Sequence, residues 1–425
     1  MIAWLLISFF VLLFLGVPIA MSLGLSAMGG ILFLGGGSTV TIAQRMFEGM
    51  NSFALLAIPL YTFAGFTMSK GGISKRLMDF CYSIVGHIYG GLAHVNVLSS
   101  MIFAGISGSA VADTAGVSGM FMPEMIRKGY SKNFTVAVTA ISSTIGIIIP
   151  PSIPMVVIAG ICGISTGKLF LGGIIPGILC GLAQMIVSYF LAKKEGVPKE
   201  PGHFTIGPVL HGLWESWPAL LMPIIIVGTI TMGIVSPTEA GVIAVVYGLF
   251  AGGIIYRELK WEDIKFAFAE TVRTSGRIFI VIGAAKLYTV MLTTAGFDKW
   301  VAKTMLGFST NPTVILIMIL LIFFIVTMFM ESIATLTLFM PILYPIALGV
   351  GIDPIVLSVL ITVVIGIGLV PPPVGMCIYV ACDLMDTTVG EVFPTLVPFI
   401  AATFVCIALM VAFPQLILLP TYLMA

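Results

Sequence analysis

The sequence predicts an all-α polytopic membrane protein, and three observations carry that prediction. Of 425 residues, 59% are hydrophobic and only 9% are charged, where a soluble protein carries about 25% charged residues. The apolar residues gather in runs approaching the roughly 20 that a transmembrane helix needs, enough for about a dozen spans. Between the runs lie most of the 47 glycines and 24 prolines, and helices break at membrane depth only where protein or a water-filled cavity satisfies the freed backbone groups. The 19 basic and 18 acidic side chains could not cover a soluble surface of this length, which excludes an ordinary globular enzyme. A net charge of +1 leaves no basic stripe for a nucleic acid.

In chain order, the first apolar run is 2–20. It lacks the basic start and the clear small-residue cleavage site of a signal peptide, so it reads as the first span or a signal anchor. Further runs are 53–68, 134–149, 169–192, 213–234, 241–256, 278–295, 314–330, 355–370 and 393–422. Residues 193–218 form the one clearly polar linker, dividing the chain into halves at 1–192 and 219–425. Lys193, Lys194 and Lys199 lie in that linker, and Arg257, Lys260 and Lys265 follow two spans later, whereas the turn at 235–238 has no Lys or Arg. The positive-inside rule puts the linker and the Arg257 region in the cytoplasm. Residues 257–277 place Trp261, Ile264, Phe268 and Val272 on one helical face, which suits either a helix lying in the membrane interface or a solvated connector. Cys81, Cys162, Cys180, Cys377, Cys382 and Cys406 form no CxxC pair and read as small buried hydrophobes. His87, His94, His203 and His211 occur in no HExxH string, so a zinc site is not indicated.

Short strings recur in the same order across the linker at nearly one spacing. Leu60-Tyr61-Thr62 returns as Leu287-Tyr288-Thr289, Phe121-Met122-Pro123 as Phe339-Met340-Pro341, and Pro150-Pro151 as Pro371-Pro372. Duplicated halves with interrupted helices are the sequence sign of a secondary transporter whose site lies at the repeat interface. Lys75 and Arg76 occupy the same repeat position as Lys299. Charge therefore does not decide between parallel and inverted halves.

Three segments carry candidate chemistry. The first, Gly105 to Asp113, sets Ser107 and Ser109 before a carboxylate in an apolar neighbourhood. An ionised Asp at the bilayer centre costs about 2.5–3.5 kcal/mol and needs a partner, which a bound cation would supply; an Asp capping a helix is the alternative. The second joins Ser142, Ser143, Thr144 and Gly146 to Pro150, Pro151 and Ser152. Consecutive prolines remove donors and disfavour the helix before them, freeing carbonyls beside hydroxyls. Its repeat counterpart is Gly366 and Gly368 followed by Pro371, Pro372 and Pro373. The third is Glu331 with Thr335 and Thr337, where the repeat puts the counterpart of the first segment; Glu331 suits a ligand or a structural hydrogen bond. A serine protease is a different reading, since Gly105-Ile-Ser107-Gly and Gly116-Val-Ser118-Gly match the GxSG string of intramembrane proteases and Gly163-Ile-Ser165-Thr-Gly matches GxSxG. It fails for want of a base, because the only later histidines, His203 and His211, lie in the charged linker.

The Ser107–Asp113 segment and the two proline breakers, with Ser236-Pro-Thr-Glu239-Ala240 and Tyr247, together resemble the large membrane subunit of tripartite ATP-independent periplasmic (TRAP) transporters over essentially the whole length. Pro154 and Pro373 depart from the family pattern in detail. The resemblance implies an elevator-type transporter with inverted repeats, a scaffold, a mobile domain and two re-entrant hairpins, here near 105–125 and 330–341. It implies import of an organic acid, of dicarboxylate or sialic acid type, driven by Na+ in the bacterial inner membrane. A periplasmic binding protein would deliver the acid, and a small membrane subunit, expected as a separate chain, would buttress the permease in lipid. Carried over residue by residue, Ser107, Ser109 and Asp113 are the expected sodium ligands, with Ser142, Ser143, Thr144 and Gly146 completing that site. Glu331, Thr335, Gly366 and Gly368 are their expected counterparts, and Ser152, Pro150 and Pro371 are assigned to the substrate. Glu239 belongs to a family signature, and its place in a short turn before a helix gives it a capping role. Two other readings stand beside this one: a stand-alone permease coupled to protons or sodium, and a channel, which would not need paired broken helices. GxxxxGK[ST] is absent, so nothing points to ATP.

Overall fold

The computed structural model describes every residue except 36–37, 198, 200–204 and 425. Linker residue His203 lies outside the described residues. Among those described, secondary structure is helical throughout, and seven helices are long and apolar enough to cross a membrane.

The first half runs α1 Ile2–Phe14, α2 Ile19–Leu34, α3 Val40–Met50, α4 Ala57–Lys70, α5 Ile73–Val85, α6 Gly91–Ser107, α7 Ala110–Arg127, α8 Lys132–Ser142, α9 Ile153–Cys162 and α10 Thr166–Lys194. The second runs α11 Ile206–Thr231, α12 Pro237–Phe250, α13 Trp261–Thr294, α14 Phe297–Phe308, α15 Pro312–Thr327, α16 Ser332–Gly349, α17 Pro354–Gly368, α18 Met376–Met385 and α19 Val389–Ala412. From α4 and from α13 onward both lists run through two helices, a helical hairpin, two short helices separated at prolines, and a long closing helix, although α4 has 14 residues and α13 has 34.

Three expectations change. The 2–20 run is not one helix: α1 ends at Phe14, Gly16 (φ +82°) takes a left-handed turn, Pro18 follows it, and Ile19–Ala20 already open α2. Residues 257–277 form neither a separate interface helix nor a connector. From Trp261 they are the start of α13, whose 34 residues span about 51 Å against a hydrocarbon core of about 30 Å. The polar linker is shorter than 193–218, since α11 already begins at Ile206, where Leu213, Trp214 and Trp217 turn outward and His211 pairs with Glu215 at 3.3 Å. Glu239 behaves as expected. Its carboxylate accepts from the Ser236 N–H (2.6 Å) while the Ser236 hydroxyl accepts from the Glu239 N–H, closing a capping box at the start of α12.

Helices from the two sides of the linker pack directly against one another. Gly49 of α3 lies against Lys286 of α13, Phe63 of α4 meets Phe268 (6.5 Å between rings), and Phe66 meets Phe266 (6.4 Å). Numbers rise along α3 and α4 as they fall along α13, so these helices pack antiparallel. Arg76 of α5 pairs with Glu258 (2.7 Å), its guanidinium stacks on Tyr256 (4.3 Å), and its carbonyl accepts from Ser216 (2.9 Å). Helix α5 therefore sits with the Arg257 region, a sidedness that charge counting left open, whereas α14 begins at the far end of α13.

Close approach in the core depends on α10, whose Gly173, Gly177 and Gly181 recur every fourth residue along one face. A Cβ at Gly173 would stand 2.4 Å from the Ile148 carbonyl oxygen, whereas the three atoms nearest to one at Gly181 all belong to the flexible Met101 side chain. Replacing Gly173 with Val should therefore destabilise by about 1–3 kcal/mol, the usual cost of overpacking, while Gly181→Val should cost less. Melting curves of the two purified variants check the order.

Candidate functional site

The two hairpins, α6–α7 and α15–α16, turn at Gly108–Ser109 and at residues 328–331. The segments expected at 105–125 and 330–341 thus cover the tips and parts of the second arms. Each tip docks on the proline breaker of its own half. The Gly108 carbonyl accepts from Ile153 N–H (3.2 Å) and the Met328 carbonyl from Val374 N–H (3.0 Å). Both breakers contain a cis X–Pro bond, Pro150–Pro151 and Pro372–Pro373. Helix α8 gives way to a 3₁₀ turn over Ser143–Ile147 before Pro150, and α17 ends at Gly368 before Pro371.

Asp113 is the centre of the first site. It lies in the first turn of α7, where Ser109 caps the helix by accepting from Ala112 N–H (3.5 Å) and the Ser109 carbonyl accepts from Asp113 N–H (3.0 Å). Its side chain is 1% exposed, and neither carboxylate oxygen has a hydrogen-bond partner. Ser100 of α6 and Ser143 stand beside it. Gly146 faces it closely enough that a Cβ there would lie 3.5 Å from the Asp113 Cβ and 3.6 Å from the Ser109 carbonyl oxygen. Ser109, Ser143 and Gly146 thus stand around the buried Asp113 carboxylate, while the Ser107 hydroxyl accepts from the Ser109 N–H (3.5 Å) and lines the cavity described below. The Ser142 and Thr144 hydroxyls donate elsewhere, to Asn96 Oδ1 (2.9 Å) and the Ile141 carbonyl (2.7 Å). A buried carboxylate without a donor, flanked by hydroxyl and carbonyl oxygens, is chemistry that suits a hard monovalent cation. No group of three His, Cys, Asp or Glu that could hold a heavier metal occurs among the described residues.

The second set is less concentrated. Glu331 precedes α16 with its side chain capping nothing, and Arg277 is the cation whose field reaches it. The Thr335 hydroxyl donates to the Glu331 carbonyl (3.1 Å). Gly366 packs against the Thr144 carbonyl, bringing the two breakers together, and Gly368 packs against Thr327. Of the residues assigned to the substrate, Ser152 is fully buried, donating to the Ile147 carbonyl (2.5 Å) and accepting from Met155 N–H (3.3 Å). Neither it nor Pro150 nor Pro371 lines the cavity described next.

A cavity of about 690 Å³ opens between the hairpin tips and the α4–α13 wall. Ser107, Ser109 and Gly116 line it from the first hairpin and Glu331 and Ser332 from the second, while Lys70 and Arg277 face it from the wall. Its size suits a small molecule. Glu270, also on that wall, is neutralised by Arg273 at 2.6 Å, so Lys70 and Arg277 leave positive potential opposite the tips. Sequence reading missed Ser100, Lys70 and Arg277. The place of Arg277 as the last charge before the apolar run at 278–295 was the available signal for it.

Comparison with known proteins gives a consistent result. Residues 6–416 match the family described as tripartite ATP-independent periplasmic transporter, DctM component. The chain is 35% identical over 408 residues to the sialic acid TRAP transporter large permease protein SiaM of Vibrio cholerae, covering 96% of this chain and 95% of that relative. To the C4-dicarboxylate TRAP transporter large permease protein DctM of Pseudomonas aeruginosa it is 35% identical over 403 residues, covering 95% and 94%. To the isethionate TRAP transporter permease protein DctMQ of Oleidesulfovibrio alaskensis it is 37% identical over 393 residues, 92% of this chain but only 62% of that longer relative. The crystal structure of the Alcanivorax borkumensis YdaH transporter shares the fold alone, with a TM-score of 0.61 at 13% identity over 87% of this chain and 86% of that one.

Proposed function

This chain belongs to the DctM-component family of tripartite ATP-independent periplasmic transporters, a family of membrane permeases, and from that premise we propose that it imports a small organic acid by sodium symport. The observation that carries the reading is the juxtaposition of Asp113, a buried carboxylate with no donor, and a cavity walled by Lys70 and Arg277. Sodium on Asp113 would neutralise the hairpin tip, and an anion in the cavity would then meet positive charge on its other side. Relatives named for sialic acid, C4-dicarboxylate and isethionate favour an organic acid as cargo. In this reading the hairpins and broken helices, α6–α9 and α15–α18, carry the site past a scaffold of α1–α4 and α11–α13. The Arg76–Glu258 pair pins the α4–α5 elbow to that scaffold. A small membrane subunit and a periplasmic binding protein complete the assembly in the inner membrane.

Reconstituted with those partners, the chain should accumulate acid under an inward sodium gradient alone. Accumulation that required ATP and ignored sodium would remove the reading, and uptake by this chain alone would favour a stand-alone permease. The cavity wall makes its own prediction. Arg277→Gln should raise the acid concentration for half-maximal uptake by roughly tenfold, the loss expected for one charge-assisted contact, and leave the sodium dependence unchanged. Concentration series in acid and in sodium separate the two effects.

A further inference from the structure

Lys70 closes α4 and lines the cavity, with Phe66 and Phe266 lining it alongside. The two rings meet edge to face at 6.4 Å, so they stand at one level of the α4–α13 wall. Lys70 lies four residues beyond Phe66, about 6 Å further along the helix axis. That end of α4 adjoins the Arg257 region, which positive-inside counting gives to the cytoplasm. A lysine near a helix end ordinarily reaches outward for interfacial water. Lys70 does the opposite. Its Nζ lies over the Phe266 ring, 4.8 Å from the centroid, so the side chain folds back along α4, the direction in which a helical Cα–Cβ bond already tilts. Among the described residues no carboxylate pairs with it. Arg273, on the next turn of α13 beyond Phe266, is the contrast: Glu270 cancels its charge at 2.6 Å. A ring face holds an ammonium without cancelling its charge.

We propose that Phe266 is a positioning residue for the acid: its ring face holds the Lys70 ammonium inward at the cavity and keeps it from swinging out to the interface. The inference rests on the cargo being an anion that meets this wall, and gives Phe266 a part that its contact with Phe66 does not require. A carboxylate partner would hold Lys70 as firmly but would cancel the charge that the acid needs. Left free, the ammonium would spread over many rotamers on its four-carbon stem, and solvent would screen it from the cavity.

The first measurement needs no cargo. The purified full chain is acylated with N-acetoxysuccinimide, and the rate at each lysine is read by mass spectrometry of its peptides. In Phe266→Leu the Lys70 rate should rise roughly fivefold, the population shift that loss of one cation–π contact produces, while exposed Lys75 should react as in wild type. Phe266 is 45% exposed, so leucine fits there without strain; Phe266→Trp, which keeps a ring face, should recover the slow rate. The second measurement is uptake by the reconstituted assembly, with labelled succinate, sialic acid and isethionate as probes. Phe266→Leu should raise the acid concentration for half-maximal uptake roughly fivefold, at unchanged maximal rate and sodium dependence. In a Lys70→Met background the same change should add nothing, because no ammonium is left to hold; this is a double-mutant cycle with strong coupling. An unchanged Lys70 acylation rate in Phe266→Leu, or additive effects in the cycle, overturn the proposal. Lys70→Met separates the two levels: if it shifts the acid concentration while Phe266→Leu does not, only the positioning role falls, whereas if it too is silent the reading of this wall as the acid's partner falls with it.

Discussion

Replacing Asp113 with Asn should raise the sodium concentration needed for half-maximal uptake by roughly tenfold or more, since each 1.4 kcal/mol of lost cation–carboxylate interaction is a factor of ten. The same substitution should leave the sodium-free protein as stable as wild type or more so. The carboxylate is 1% exposed with both oxygens unpartnered, so without a cation it burdens the fold, and an amide of the same shape relieves that burden. Opposite signs distinguish this account from a structural one. An Asp113 that served only to cap α7 would lose stability on substitution and leave the sodium dependence alone; the cap is already supplied by Ser109. Unchanged sodium dependence in uptake by Asp113→Asn would show that the carboxylate is not a ligand.

Much of this arrangement is legible in the sequence because breakers and hydrophobic runs are local signals. Pro371-Pro372 follow closely on the end of α17 at Gly368, whereas α8 gives way to a 3₁₀ turn after Ser142, before the break expected at Pro150, and Ser236 with Glu239 closes the cap that their spacing implies. The apolar count does not distinguish a span from half a hairpin: α6 and α15 are short apolar helices whose return is fixed by a tip of only a few residues. The 2–20 run shows the same weakness, since one glycine and one proline divide it without altering its composition. Within the site, Asp113 stands out because an unpaired acid among small residues is conspicuous in one dimension. Ser100, Lys70 and Arg277 do not, because their relation to the site is made by packing α6, α4 and α13 around it. Ser142 illustrates a further limit: a hydroxyl at the right position in the chain can spend its proton on Asn96, and only three-dimensional partners reveal that.

The hairpin tip offers the second large effect, because its geometry admits almost no side chain. Gly108 joins α6 to α7 at φ +61°, a left-handed conformation that a β-branched residue rarely adopts. A Cβ there would stand 2.7 Å from the Pro151 carbonyl and 3.3 Å from the Ile153 nitrogen, both backbone atoms of the breaker. Neither is a flexible side-chain end, so the tip or the breaker must move. The Gly108 carbonyl is also the acceptor that holds Ile153 N–H, and the next residue, Ser109, caps α7 and fixes the turn bearing Asp113. Gly108→Val should therefore lower uptake by on the order of a hundredfold, as small misplacements of a reacting site can, and should weaken sodium-dependent thermal stabilisation in parallel. Gly108→Ala meets the same backbone atoms but escapes the β-branched penalty, and should fall between Val and wild type. Gly119, exposed on the same helix with nothing within 4 Å of its would-be Cβ, provides the control: Gly119→Ala should be silent in both measurements. Near-normal uptake by Gly108→Val would mean that docking of the tip on the breaker does not shape the ion site.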